Sequence, residues 1–177
     1  MKGSKSAIRY AQSLLSLSIE KGVLEAAKAD MDLVHSVCAE NHELELLLQS
    51  PIIKSDKKQA VLGAIFEKSV SELSLQFIKL ITAKGRERLI PTIAAAFVEL
   101  YKENKGIVTV NVTSAIALSQ VQKDELIKSL SLQGTVELKE RIDASILGGM
   151  IITIGDKRYD ASIAKKVHDL KFEISKP

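Results

Sequence analysis

Up to about residue 105, apolar positions recur three and four apart and are interrupted by short polar turns, the pattern of consecutive amphipathic helices. The spacing predicts a first helix from about Lys5 to Lys21, closed by Gly22, where a left-handed residue follows the last turn. A second helix covers Val23 to about Glu40. A third, His42 to Gln49, stops at Ser50-Pro51, because the residue before a proline is pushed out of helical geometry. Ser55 is placed to cap a fourth helix over Asp56 to Lys68, and Ser69 with Glu72 has reciprocal capping spacing for a fifth that ends at Lys84-Gly85. A sixth tolerates Pro91 in its first turn, where the missing amide is unpaired anyway, and runs to Lys105-Gly106.

After Gly106 the period changes from 3.6 to 2. Ile107 to Thr113 is dense in β-branched residues, with Val108, Val110 and Val112 on one face of a strand. Ser119 and Gln122 form a capping box for a helix that can end at Gly134. Strands follow at Thr135 to Ile142 and Met150 to Ile154, a Gly155-Asp156 hairpin turn leads into Lys157-Arg158-Tyr159, and a last helix covers about Ser162 to Ile174. The expected fold is mainly α with α+β: a six-helix bundle over residues 1–105, then a small α/β domain over 106–177. No Gly/Ser-rich linker separates them, which predicts that the two parts touch.

Two helices carry more apolar surface than one-sided burial uses. On a 100° wheel the apolar residues of the first helix, Ala7 to Ile19, spread over an arc of about 200°, and those of the fifth, Leu73 to Ile81, over about 220°. Either the two helices share a groove that receives a partner helix, or they are central to their own bundle. Broad arcs on the second, fourth and sixth helices favour the second reading from pattern alone.

Composition narrows the chemistry. The chain has 177 residues, 46% hydrophobic and 27% charged, in the range of globular proteins; with 4 Phe, 3 Tyr and no Trp, the core must be Leu, Ile, Val and Ala. Residues 1–105 carry 15 basic and 13 acidic side chains (+2) and 106–177 carry 10 and 9 (+1), so neither part is a basic arm, which lowers the expectation of nucleic-acid binding. The start has no signal-peptide core, and no apolar run approaches the ~20 residues of a membrane span. One cysteine excludes an internal disulfide. Cys38 and His35, three apart, are two ligands without a third and read as packing residues, so no metal is expected. No phosphate-binding loop or nucleophile elbow is present, so no cofactor and no catalytic residue are expected. Gly148-Gly149 reads as a bulge or close backbone approach, and Asp156 and Asp160 as turn and cap residues. Lys57-Lys58, Lys157-Arg158 and Lys165-Lys166 lack interleaved aromatics and read as solvated surface.

The string Asp143-Ala144-Ser145-Ile146-Leu147-Gly148-Gly149-Met150-Ile151-Ile152-Thr153-Ile154-Gly155-Asp156, with Asp160-Ala161-Ser162-Ile163, resembles the delta subunit family of bacterial rotary ATP synthase, the family of the mitochondrial oligomycin-sensitivity-conferring protein. Gly106, Val110 to Ala115 and Leu118-Ser119 extend the likeness, as do Ala7-Ile8-Arg9-Tyr10-Ala11 and Lys84-Gly85-Arg86 through Leu89-Ile90-Pro91. The resemblance implies a non-catalytic stator subunit that stops the catalytic head from turning with the rotor. It implies that residues 1–105 grip an amino-terminal helix of an alpha subunit and that 106–177 hold the b subunits of the peripheral stalk. The membrane would then be reached only through the complex, at the cytoplasmic face of the bacterial inner membrane. The groove between the first and fifth helices falls, by the same resemblance, on Ala7, Tyr10, Ala11, Leu14, Phe77, Leu80 and Ile81, and this shifts the preference towards partner binding. On residues alone, two other classes stay open: a helical adapter for another partner, nucleic acid included, and an enzyme that pairs His35 or His42 with a carboxylate.

Overall fold

The computed structural model describes residues 4–130 and 135–174. The chain divides into two compact units, Met1–Lys102 and Glu103–Pro177, each with its own internal packing.

The first unit is helical: α1 (Lys5–Glu20), α2 (Leu24–Glu40), α3 (His42–Gln49), α4 (Ser55–Phe66), α5 (Glu72–Ala83) and α6 (Ile90–Lys105), whose last turn crosses the division. Glycines end the helices where the pattern placed them: Gly22, Gly85 and Gly106 have φ of 68°, 65° and 64°. After α1, Gly22 N–H donates to Ile19 O and Val23 N–H to Ser18 O, at 3.0 and 2.9 Å, and Gly85 and Arg86 repeat this bonding after α5. Ala7, Ala11, Leu14, Ala27, Met31, Val34, Ile78, Ile81, Ile93 and Phe97 form the centre of the core.

The start of α4 and of α5 differs from expectation. Ser55 caps nothing; it is the first residue of α4, and its hydroxyl donates to Thr82 O at 2.8 Å, tying α4 to α5. The cap of α5 is Ser71, not Ser69. Ser71 N–H and hydroxyl both donate to the carboxylate of Asp30 on α2, so a remote side chain fixes where α5 begins and overrides the local Ser69/Glu72 spacing. A 3-10 turn at Glu87–Leu89, absent from the sequence reading, precedes α6.

Lys58, read as solvated surface, is buried at 2% exposure. Its Nζ donates to Leu48 O at 3.1 Å, Ser50 O at 2.7 Å and Glu87 Oε1 at 2.6 Å, closing the end of α3 against α4 and the 3-10 turn. All three donors of the ammonium are therefore used, the condition for burying a charge. Glu87 Oε2 is buried without a partner. Burial pushes the Glu87 carboxyl up, but the hydrogen bond and charge of Lys58, with its own backbone and Arg88, bring it below the ordinary carboxylate range.

The second unit holds β1 (Ile107–Ser114), α7 (Gln120–Leu130), β2 (Thr135–Ile142), β3 (Met150–Ile154), β4 (Lys157–Asp160) and α8 (Ile163–Ile174). Its sheet has the order β2-β1-β3-β4, with β1 parallel to β2 and antiparallel to β3. Val110 faces Leu138 on one side and Ile154 on the other. On β1 the buried positions are Val110, Val112 and Ser114, with Asn111 exposed between them; Val108, on the same face, is half-buried. The Ser119/Gln122 box forms in both directions, with Gln122 Oε1 accepting from Ser119 N–H at 2.9 Å and Ser119 Oγ from Gln122 N–H at 3.4 Å. Glu140 on β2 accepts from Leu118 N–H and pairs with Lys123, and these two contacts, in that order, hold its carboxyl below the ordinary range and pin the start of α7 to the sheet. The expected stop at Gly134 lies outside the described residues. A 3-10 turn, Ala144–Ile146, joins β2 to β3.

Candidate functional site

The seven expected groove residues divide by exposure. Ala7, Ala11 and Ile81 have no accessible surface and Leu14 has 1%, so they floor the bundle and cannot touch a partner in this conformation. Helix geometry explains the division: these residues sit on one buried face with Ser18 of α1 and with Ser74, Ile78 and Thr82 of α5. Tyr10 and Phe77 are half-buried, and Leu80 is 52% exposed. Leu73 and Leu80 bracket Phe77 at helical spacing along one flank of α5, while Leu17, 37% exposed, continues the Tyr10 flank of α1. The Arg86 guanidinium, just past the end of α5, lies 5.9 Å from the centre of the Tyr10 ring on α1. What remains is partly exposed apolar surface flanking the core face, in two strips: Tyr10 and Leu17 on α1, and Leu73, Phe77 and Leu80 on α5.

No comparable focus of reactive groups exists among the described residues. His35 is exposed and so is not a packing residue; it lies outside the core that holds Cys38. Burial, with the Glu45 charge second, pushes the Cys38 thiol up to about 11, which keeps it protonated and a poor nucleophile. His42 does meet a carboxylate, Glu45 at 3.6 Å, but on an open helix surface where both side chains are at least half exposed. No cluster of three or more metal-ligating side chains occurs among the described residues, and no helix there is long and apolar enough to cross a membrane. An open hollow between α2, α3 and α4 is lined by Val37, Asn41, Glu43, Leu44, Leu47, Val61 and Ile65, a set without a nucleophile.

The motif residues of the second unit build turns. Asp143 starts the 3-10 turn and accepts from Ser145 N–H at 2.9 Å; hydrogen bonds from the Ser145 side chain and backbone hold its carboxyl below the ordinary range. Asp160 plays the same part for Ser162, which in turn caps α8 by accepting from Lys165 N–H at 3.2 Å. Gly155, at φ 55°, and Asp156 make the β3–β4 turn. Gly149 has φ 75°, and a Cβ there would stand 2.4 Å from Ala161 O, so the close backbone approach read from the paired glycines is a physical necessity.

These observations describe a scaffold with an apolar strip, and the comparisons place it. The family of the ATP synthase delta (OSCP) subunit matches residues 7–174. The ATP synthase subunit delta of Cytophaga hutchinsonii is 36% identical over 97% of this chain and 94% of its own length. That of Caulobacter vibrioides is 35% identical over 99% and 97%. A chain of the Toxoplasma gondii mitochondrial ATP synthase hexamer, solved by electron cryo-microscopy, shares the fold with a TM-score of 0.73 over 97% of this chain and 98% of that one, at 22% identity. The chain therefore belongs to the ATP synthase delta (OSCP) subunit family, a family of stator-type, structural subunits of the peripheral stalk that are not catalytic.

Proposed function

We propose that the chain clamps the catalytic head of an ATP synthase to its peripheral stalk, the helical unit taking an amino-terminal helix of an alpha subunit and the α/β unit taking the b subunits. The observation that carries this reading is the apolar strip along α1 and α5. Leu80, Leu17 and the half-buried Phe77 and Tyr10 leave apolar surface open to water, at a cost in free energy that covering by the apolar face of a partner helix would relieve. A clamp of this kind performs no reaction; its work is to resist rotation, so that ion-driven torque reaches the catalytic sites. The reading puts the protein at the cytoplasmic face of a bacterial inner membrane, held there by the complex.

Titration calorimetry with a synthetic alpha-subunit amino-terminal peptide tests the head contact. Leu80→Asp should weaken binding by at least ~2 kcal/mol, since a carboxylate would face a desolvated apolar helix, with a parental thermal melt. Unchanged affinity in that variant would move the partner site elsewhere. The division of labour has its own test: removing residues from Ser145 onward should abolish binding of b subunits and leave peptide binding intact.

A further inference from the structure

Among the described residues Leu147 is the only non-glycine at positive φ, with φ 61° and ψ −21°. A γ-branched side chain in the left-handed region is unfavourable, and glycine or asparagine would adopt it more easily. The leucine gains little from packing in return, since it is 73% exposed. Two costs thus fall on one residue, set against the hydrogen bond of its N–H to Ala144 O at 3.2 Å.

The turn that presents Leu147 is fixed. Gly148 O accepts from Ile163 N–H at 2.9 Å, and a Cβ on Gly148 would stand 2.7 Å from Ile163 Cδ1. Leu147 is therefore held beside the first turn of α8, where Ile163 is 48% and Val167 42% exposed, four residues apart on one helical stripe. Ile142, 60% exposed, immediately precedes the Asp143 cap of the same turn. One flank of the stripe is basic: the exposed Lys166 lies about 60° around α8 from Ile163, whereas Lys165 is about 160° away on the opposite face. The nearby carboxylates are engaged or turned away, Asp143 with Ser145, Asp160 with Ser162 and Arg158, and Asp169 about 120° or more from the apolar stripe.

We propose that Leu147, Ile163 and Val167 form the docking surface for an amphipathic helix of the peripheral stalk whose apolar stripe is bordered by carboxylates that meet Lys166. The proposal rests on the reading that the α/β unit takes the b subunits, and it names the surface and the partner's charge. An i, i+4 pair on a helix, extended by a leucine held at the turn, matches the ridge of a second helix, and Lys166 selects an acidic flank.

The test uses the full chain and a labelled synthetic peptide of the b-subunit carboxy-terminal segment. Leu147→Asn and Leu147→Gly should each weaken binding at least about tenfold, as for a central apolar anchor. Both should melt at or above the parental temperature, because both residues accept the left-handed backbone. Lys166→Glu should weaken binding severalfold, and the parental affinity should fall with salt. No binding of the peptide by the parent would overturn the stalk reading itself. Parental binding with undiminished binding by both Leu147 variants would leave that reading in place and overturn the surface. A lowered melt in both variants would assign Leu147 to the fold and overturn its role as an anchor, and salt-independent binding would overturn the acidic flank.

Discussion

The two units hold themselves together differently. Of the buried apolar residues described, twenty lie in the helical unit and three, Val110, Val112 and Ile146, in the α/β unit. No residue of α7 is buried, and β3 is half-buried throughout. The helical unit thus rests on buried, close-packed apolar side chains, with the Lys58–Glu87 ion pair buried among them. The α/β unit rests on backbone geometry: register, glycines in tight approach and carboxylates that close turns. The same class of substitution should therefore have unequal effects in the two.

The largest effect should come from charge in the helical core. Leu14→Asp places an unpaired carboxylate at 1% exposure and should cost about 4 kcal/mol or more, collapsing the melt of the helical unit, whereas Leu80→Asp should stay within about 0.5 kcal/mol of the parent. Equal melts for the two variants would erase the distinction between floor and strip. Next comes Lys58→Met, which leaves Glu87 buried without its cation and should cost about 3–5 kcal/mol. Adding Glu87→Leu should recover most of that loss, as chemical denaturation would show; no recovery would mean that the Leu48 and Ser50 carbonyls, not the charge, dominate.

Backbone geometry should be the weak point of the other unit. Gly149→Ala combines a positive φ with overlap on Ala161 O and should destabilise the α/β unit by about 2–3 kcal/mol, read by hydrogen exchange in β3 and β4, with α1 to α5 unchanged. The smallest effect is the response to acid. Glu87, Glu140, Asp143 and Asp160 all have carboxyls held below their ordinary values, so their contribution is complete above about pH 4.5 and is lost as the pH falls through the folded values. In the Lys58→Met/Glu87→Leu double variant, exchange protection in the helical unit should respond less to acid, while the α/β unit keeps its full response.

What the sequence revealed follows from the range of the interactions involved. Helix stops are local: Gly22, Gly85 and Gly106 announce a left-handed residue wherever they follow an apolar period. The Ser119/Gln122 box is equally local. Lys58 was hidden because its exposed neighbour Lys57 has the same chemistry, successive helix positions point about 100° apart, and the partner that selects one of them, Glu87, lies in a different element. Ser71 was missed for the same reason: Asp30, which fixes it, belongs to α2. The wide arcs on α1 and α5 joined floor and strip in one signal, since an apolar periodicity does not tell which part of the arc is covered by the chain's own helices. The strained Leu147 carries no local signal, because a leucine before two glycines looks like any apolar residue before a turn.

The place of β1 in the sheet has a consequence for synthesis. The strand Ile107–Ser114 must pair on one edge with Thr135–Ile142 and on the other with Met150–Ile154, both encoded later. On the ribosome the helical unit can close while β1 emerges with both edges open. The stretch from Ile107 to Ser119 contains no charged residue and no proline to discourage mispairing. Until the β3 hairpin follows, this nascent strand keeps an edge open to pairing with neighbouring chains, and a chaperone that covers it would act before Met150–Ile154 emerges.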